Sequence, residues 1–483
     1  MIVGELRHGQ LVIIDRLRET VRLSEGLEKN SDLADAAKQR ALDCLSRFGE
    51  RISGMQAARV RAAGTSTLRR ARDSKRFQEE AETALGHPIE VISGIEEARL
   101  IYKGVAHSMP PTDGMRLVLD IGGGSTELIL GEGITPKALE SLHMGCVVMT
   151  ERHFPGGVIN ERNFRNARVA ARLQLRPVKA YFRGVTGMET VGTSGTIRAT
   201  EAVARALGML ESSDMTIDVI EALVARVLQF DNIADISLPG LSERRAQVWP
   251  GGLAILIELV SAMRITEVRV SDGALREGLL YEMLGRMQHE DARERSVEAV
   301  SSRYHVDQLQ ADRVCATAAN LLQQCADCWQ LDSGLAVSLL NWAARLHEIG
   351  LDIAHDSFHK HSAYIVANAD MPGFPRNEQR ILAFLILNQR GNLGLNGLSE
   401  LPGSWRKQAT RLTVLLRLAV LLNRSRSSVA LPPIMIEVKG KQVVLGFPEG
   451  WLEKNPLTVA DLERESNYLA SAGIDLQADD LVS

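Results

Sequence analysis

An aspartate, three glycines, two hydroxyls and a glutamate stand between two apolar runs, and no other segment of the chain limits its fold as tightly. The segment reads Asp120-Ile121-Gly122-Gly123-Gly124-Ser125-Thr126-Glu127. Arg116 to Asp120 has the apolar run of a buried strand, and Glu127 to Leu130 continues as a second strand. Glycines let the backbone turn tightly and approach a ligand without Cβ clashes, and successive N–H groups in such a turn converge on an anion. Ser125 and Thr126 add hydroxyl donors. Asp120 and Glu127 bracket the loop as oxygen ligands suited to Mg²⁺. A plain glycine hairpin would not need an acid at each end. The segment is neither a Walker loop nor a dinucleotide fingerprint, because no Gly-Lys-Ser/Thr follows and a strand, not a helix, succeeds it.

Two further turns share the pattern. Gly192-Thr193-Ser194-Gly195-Thr196-Ile197-Arg198 follows a short strand and opens a helix, so Ser194, Gly195 and Thr196 are candidate phosphate contacts. Ser271 to Gly278 follows the strand Glu267 to Val270. Acids and a guanidinium stand at two strand-to-helix junctions. In Gly94-Ile95-Glu96-Glu97-Ala98-Arg99 two acids suit the positive end of a helix dipole, and one of them also suits a general base for an attacking water. In Gly64-Thr65-Ser66-Thr67-Leu68-Arg69 a hydroxyl caps a helix, and Arg69 is placed either to clamp phosphate or to stand as a solvated charge.

With 483 residues the chain exceeds one ordinary core. A net charge of −4 gives no global positive field for nucleic acid or anionic membrane, so a polyanionic substrate must be held by local clusters of Arg, Lys and backbone N–H groups. Five scattered cysteines argue against a disulfide framework and for a reducing compartment. Cys325-Ala326-Asp327-Cys328 lies in a helical stretch with no second pair to complete a zinc site. There is no signal-peptide pattern, and the longest apolar run, Gly251 to Met263, is short for a membrane span and contains Glu258. The expected location is cytoplasmic, with peripheral attachment at the inner membrane left open.

Along the chain, strands are expected at Ile2 to Leu6, Gln10 to Ile14, Glu19 to Leu23, Ala58 to Ala62 and Pro88 to Ile92, with helices at Asp32 to Ile52, Leu68 to Leu85 and from Gly94. Two α/β blocks, 1–104 and 105–287, suggest two lobes around a cleft. A helical block, 288–426, and a small β-containing element, 427–483, follow, the latter with a hairpin around Lys439-Gly440.

Taken together, these segments, with Ser93 to Leu100, Met144-Gly145-Cys146 and Asp272 to Gly278, resemble the exopolyphosphatase and guanosine pentaphosphate phosphatase family. The resemblance spans the chain. It implies α/β lobes of the actin-like ATPase (sugar kinase and heat-shock ATPase) type, followed by an all-α domain like the His-Asp metal phosphohydrolases and a β-containing tail. It implies Glu97 as general base and Arg69 as a phosphate contact. The loop of Gly122, Gly123, Gly124, Ser125 and Thr126 becomes the phosphate loop, with Asp120 and Glu127 near Mg²⁺. K⁺ is a candidate activator, and a homodimer with a basic polyphosphate channel is the expected assembly. The triple glycine and Phe154-Pro155-Gly156-Gly157 look more like the exopolyphosphatase branch, so hydrolysis of terminal phosphates from inorganic polyphosphate is the leading expectation. Conversion of guanosine pentaphosphate to tetraphosphate is the alternative. A sensor without turnover and a kinase on the same fold are weaker readings.

Two departures stand out. The family opens with a strand ending in Asp-x-Gly-Ser-Asn-Ser, whereas Met1-Ile2-Val3-Gly4-Glu5 looks like the strand after that loop. The expectation is therefore a native start upstream of Met1. In the helical block, Trp342 to Gly350 resembles the His-Asp motif but carries Glu348 where the aspartate belongs, with Asp352, His355, Asp356, His359 and His361 following. A domain that binds substrate or builds the dimer is expected there in preference to a metal site.

Overall fold

Among the described residues, the strands of the N-terminal half form three separate groups. Ile2–Arg7 (β1) pairs antiparallel with Gln10–Arg16 (β2). Ala62–Gly64 (β3) lies parallel to Ile89–Val91 (β4). The largest group comprises Met115–Ile121 (β5), Thr126–Glu132 (β6), Thr135–Leu142 (β7), Glu189–Thr193 (β8), Met215–Thr216 (β9) and Glu267–Val270 (β10). Among the described residues these make one sheet in the order β7-β6-β5-β8-β10-β9. The computed structural model describes all residues except 8, 9, 20, 22, 27–31, 73, 111, 113, 184–187, 211–213, 288–291, 332, 333, 394–396, 428 and 481–483. It divides into two units, Met1–Glu290 and Asp291–Ser483.

Strand alternation gives the large sheet two faces. Leu117, Leu119, Ile121, Leu128 and Leu130 join a core with Trp249, Leu253 and Ile257 of the helix Trp249–Met263. That helix is the apolar run noted above. It is buried nearly throughout, and its Glu258 is met by Arg168 at 2.7 Å and Arg172 at 2.9 Å. No helix among the described residues is long and apolar enough to cross a membrane. The opposite face presents Val118, Ile129 and Val191 to Ala98, Ile101, Tyr102 and Val105.

Four helices of the first half are Asp35–Ile52 (α1), Ser66–Arg70 (α2), Ser74–Leu85 (α3) and Gly94–Ser108 (α4). The expected single helix over 68–85 is broken after Arg70, because Ala71 turns extended (φ −67°, ψ 130°). The strand expected at Ala58 to Ala62 begins only at Ala62, where β4 offers a partner, and Ala57–Arg59 is a 3₁₀ turn. Glu19 to Leu23 falls partly on undescribed residues, and Leu23 opens a 3₁₀ turn instead of ending a strand. The turn at His8-Gly9 lies outside the described residues. The lobe boundary expected at 104/105 falls inside α4, which packs on the large sheet.

Helix α4 and the helix Leu275–Met287 cross at two glycines. A Cβ at Gly278 would stand 1.8 Å from the Leu100 carbonyl, and one at Gly104 would stand 2.0 Å from the Ala274 carbonyl. Backbone cannot yield as a flexible side chain does. Gly278→Ala is therefore expected to lower the thermal midpoint by about 5 °C or more. Differential scanning calorimetry checks this, and an unchanged midpoint would refute the close crossing.

The second unit packs the helices Gln308–Trp329, Gly334–Leu346, Phe358–Asn368, Arg376–Leu387 and Arg406–Leu422 around one core. Met435–Lys439 (β11) and Gln442–Phe447 (β12) form the expected hairpin, and Asp475–Asp480 (β13) adds parallel to β12. Gly440 takes φ 63° at the hairpin turn, where a side chain would be strained. The helical part and the tail share this core. Arg417 is buried within it against Glu465 and the carbonyls of Asn388 and Gly391.

Candidate active site

The register of the β5–β6 hairpin sets Asp120 directly opposite Glu127. Opposed residues point to the same face of a sheet. Both carboxylates therefore extend the row of Val118 and Ile129, the face that α4 covers. On α4, Glu97 precedes Ile101 by four residues and Val105 by eight, so it shares their sheet-facing stripe. The third carboxylate thus arrives beside the other two.

Its neighbour diverges. Ser93 caps α4 by accepting from the Glu96 N–H at 3.1 Å, and the Glu96 carboxylate turns to Arg99, whose Nε donates at 2.8 Å. Arg99 and Lys103 also hold the buried Glu282. Of the two acids expected at this junction, Glu96 joins a structural network and Glu97 turns toward Asp120 and Glu127.

Glu97 is bound by Arg69, whose Nη1 donates to Oε2 at 2.8 Å and also to the Ile92 carbonyl at 3.0 Å. Burial raises the Glu97 carboxyl above the ordinary glutamate range, against the pull of Arg69. Burial and the charge of Glu97 push Asp120 up to about 7, with Arg198 opposing. Asp120 borders the cavity, so some water reaches it, yet protein surrounds its carboxyl. Burial, then Glu97 and Asp120, raise Glu127 well above its usual range, although Ser141 donates to it at 2.9 Å. The charge of Glu97 raises both other acids and that of Asp120 raises Glu127, a crowding that a bound cation or a shared proton would relieve.

The glycine turn is clamped from both sides. Cys146 N–H donates to the Gly122 carbonyl at 2.9 Å, Val147 N–H donates to that of Gly123 at 3.0 Å, and Thr126 Oγ1 donates to the Met144 carbonyl at 2.6 Å. A Cβ on Gly145 would lie 2.3 Å from the Gly123 backbone, which explains Met144-Gly145-Cys146. A Cβ on Gly124 would lie 2.8 Å from Ser66 Oγ. Gly122, Gly123 and Gly124 do not take positive φ; close approach at Gly122 and Gly124, not turn strain, favours glycine there. Among the described residues, the N–H groups of Gly123 and Gly124 meet no protein acceptor, and so are available to an anion. Ser125 and Thr126 are buried. Thr126 supports the loop and donates to protein, whereas the sequence placed it against substrate.

Asp120, Gly122 and Gly123 line a cavity of about 750 Å³ together with Thr67, Ser194 and Gly195. The last two begin the helix Ser194–Ala206. Ser194 holds φ 90°, a conformation costly for a non-glycine residue and concentrated at functional sites, and its buried Oγ has no hydrogen-bond partner among the described residues. Thr196 is buried beneath this turn and does not border the cavity. The third glycine turn serves packing: a Cβ at Gly273 would stand 2.2 Å from Ser108 Oγ. Glu97 and Glu127 are not on the cavity surface either; they stand behind Asp120 within its field.

Sequence reasoning missed the arginines. Arg18, Arg198, Arg244 and Arg245 line the same cavity. Burial, then the charges of Arg198, Arg245, Arg276 and Arg244, hold Arg18 below the usual arginine range. They come from a segment after β2, from the helix Ser194–Ala206 and from the four-residue turn Glu243–Ala246, with no shared local pattern.

In the second unit, burial lowers His347, whose Nδ1 faces the Ala344 carbonyl at 2.7 Å. Glu348 is bound by Arg426, with Nη2 to both its oxygens at 2.6 Å, and His305 meets Asp352 at 2.9 Å. His355 is exposed and His359 and His361 are partly so. Among the described residues of the whole chain, no three His, Cys, Asp or Glu side chains gather as a metal site. Cys325 is buried, with its thiol on the Leu321 carbonyl, and Cys328 is exposed.

Comparison with known proteins supplies the chain's relatives. Residues 2–287 match the Ppx/GppA phosphatase family, and residues 292–466 match domain III of Ppx/GppA phosphatases. A Vibrio cholerae protein named guanosine-5'-triphosphate,3'-diphosphate pyrophosphatase is 39% identical over 476 residues, covering 98% of this chain and 94% of its own. The solved structure of an Aquifex aeolicus PPX-GPPA enzyme aligns with a TM-score of 0.50 at 26% identity, over 58% of this chain and 93% of its own. An exopolyphosphatase structure from Cytophaga hutchinsonii aligns with a TM-score of 0.54 at 21% identity, over 59% and 93%, a likeness of fold.

Proposed function

This chain belongs to the Ppx/GppA phosphatase family, and we propose that it hydrolyses the terminal phosphoanhydride bond of guanosine 5′-triphosphate 3′-diphosphate to release orthophosphate. The observation that carries the substrate is the identity across nearly the whole chain to an enzyme of that name. The two features that favoured polyphosphate have explanations within the fold. A Cβ on Gly124 would crowd Ser66 Oγ at 2.8 Å. Gly156 and Gly157 take φ 64° and 76°, and Asn232 Oδ1 would lie 2.7 Å from a Cβ on Gly157. Neither glycine run needs a linear substrate to account for it.

In this reading the terminal phosphate rests on the amides of Gly123 and Gly124, with Ser194 and the start of its helix on the other side. Its oxygens are thereby partly neutralised before reaction. Glu97 stands behind Asp120, off the cavity surface, so in this reading the attacking water has to reach it there; Glu97 then takes the proton as the P–O bond to the leaving diphosphate breaks. A base whose pKa is raised by burial suits that task near neutral pH. Arg69 holds Glu97 in place and, like Glu97, does not line the cavity. Asp120 and Glu127 fit Mg²⁺, which takes one or two carboxylates plus water and phosphate oxygens. Bound there, it would neutralise charge on the substrate.

Phosphate release from the pentaphosphate, GTP and long-chain polyphosphate, each with Mg²⁺, tests the proposal. The pentaphosphate should show the highest kcat/KM. A higher value for polyphosphate would return the enzyme to the exopolyphosphatase reading.

A further inference from the structure

The row of acids across the large sheet continues into a hydroxyl. Asp120 stands opposite Glu127, and Glu127 stands opposite Ser141. Opposed residues share a face, so β5, β6 and β7 present a carboxylate, a carboxylate and a hydroxyl in line. Ser141 Oγ donates to Glu127 Oε1 at 2.9 Å. Ser125, at the end of the glycine turn, is the other hydroxyl donor to this carboxylate. Glu127 is 1% exposed, so protein groups, not bulk water, decide how its carboxylate is turned.

The hydroxyl is held from the helix side as well. A Cβ on Gly94, the first residue of α4, would lie 2.5 Å from Ser141 Oγ and 2.6 Å from Ser141 Cβ. Glycine thus lets the start of α4 close onto Ser141, and Glu97 follows three residues later. Ser141 therefore stands against both acid-bearing elements, the strand of Glu127 and the helix of Glu97. It does not line the cavity, so it is placed to act on Glu127 and not on substrate.

We propose that Ser141 is a positioning residue: its hydrogen bond sets the plane of the Glu127 carboxylate for a Mg²⁺ shared with Asp120, and so makes the pair selective for Mg²⁺ over larger cations. The inference rests on the reading above, in which that pair holds the cation. Mg²⁺ demands near-octahedral geometry with short oxygen contacts, whereas Ca²⁺ accepts varied coordination and longer ones. A carboxylate free to rotate therefore loses more for Mg²⁺ than for Ca²⁺. Hydrogen bonds that orient a metal-binding group are worth about 10- to 100-fold in metal affinity.

The test needs no substrate. Thermal unfolding of the full-length wild type and of Ser141→Ala is followed as MgCl₂ or CaCl₂ is added, and the rise in midpoint gives an apparent dissociation constant for each ion. In EDTA the two midpoints should agree within about 3 °C, because one hydroxyl on a half-buried edge strand carries little of the fold. Ser141→Ala should weaken Mg²⁺ by about 10-fold or more while leaving Ca²⁺ within about threefold. A purely structural role would weaken both ions alike, so equal losses, or none, overturn the proposal. A collapse of the variant's midpoint in EDTA overturns it too, by making Ser141 a residue of the fold. The wild type alone supplies a check free of variants. It should favour Mg²⁺ over Ca²⁺ by about 10-fold or more, and equal affinities overturn the proposal. A wild type that does not respond to Mg²⁺ overturns the shared cation together with it. A wild type that binds Mg²⁺ but releases no phosphate from the pentaphosphate refutes the function proposed above, and the two ion series still decide Ser141.

Discussion

Replacing Glu97 by glutamine is expected to leave a folded protein that releases phosphate from the pentaphosphate about 10²- to 10⁴-fold more slowly, the usual worth of a general base. The loss should fall on kcat, with KM little changed, because the carboxylate acts on water and not on bound phosphate. Glutamine keeps the length of the side chain and an oxygen for Arg69, which retains the Ile92 carbonyl as well. The fold should therefore survive. Glu96→Gln is the matched control. It removes a buried charge from the network of Arg99 and Glu282, so it should cost stability, by about 3–5 kcal/mol for a buried pair broken on one side, while sparing the base. The pH profile separates the two further. A base works deprotonated, so the wild-type rate rises with pH through the pKa of Glu97, which burial places above the ordinary glutamate range. That limb should vanish in Glu97→Gln. A rate within tenfold of wild type would remove Glu97 from the chemistry. Tight nucleotide binding with no turnover in the wild type would instead mark a sensor.

The parts of this site that the sequence displayed are those where local pattern and tertiary placement coincide. A two-strand hairpin around the glycines fixes the opposition of Asp120 and Glu127 by register alone, so the pair was legible from spacing. The choice between Glu96 and Glu97 was not legible from charge. Both suit a helix start, and only the sheet-facing stripe through Ile101 and Val105 separates them. Thr126 and Thr196 carry the right hydroxyls for phosphate contacts, but strand and helix direction turn them inward. Periodicity ran on through Ala71, because a break in backbone direction there changes no hydrophobic spacing. The arginine group was invisible for a different reason. Its members lie far apart in the chain, and each alone looks like a solvated charge. Only the fold brings Arg18 beside Arg244 and Arg245.

Replacing Asp120 by asparagine should stabilise the protein at pH 8 in the absence of divalent cation and also abolish most of its activity. Asp120 is pushed from an ordinary value of 3.8 up to about 7. Between those values the folded chain retains a proton that the unfolded chain has given up, so stability falls as pH rises through this window. The cost is complete above pH 7 and absent below about pH 4. Asparagine does not titrate, and the variant should therefore gain on the order of 2–4 kcal/mol over wild type at pH 8, with little or no gain at pH 4. Mg²⁺ should reverse the ranking. In the reading proposed above it would bind the deprotonated pair Asp120 and Glu127, so it should stabilise wild type at pH 8 and should do so far less for Asp120→Asn. Urea unfolding of both proteins at the two pH values, with and without MgCl₂, reads every arm of this argument. Equal stabilisation of both proteins by Mg²⁺ would place the ion elsewhere. Parallel pH dependence would mean that Asp120 carries no strained charge. If both expectations hold, the acids that make this site chemically able are the same ones that make it costly to fold without its cation.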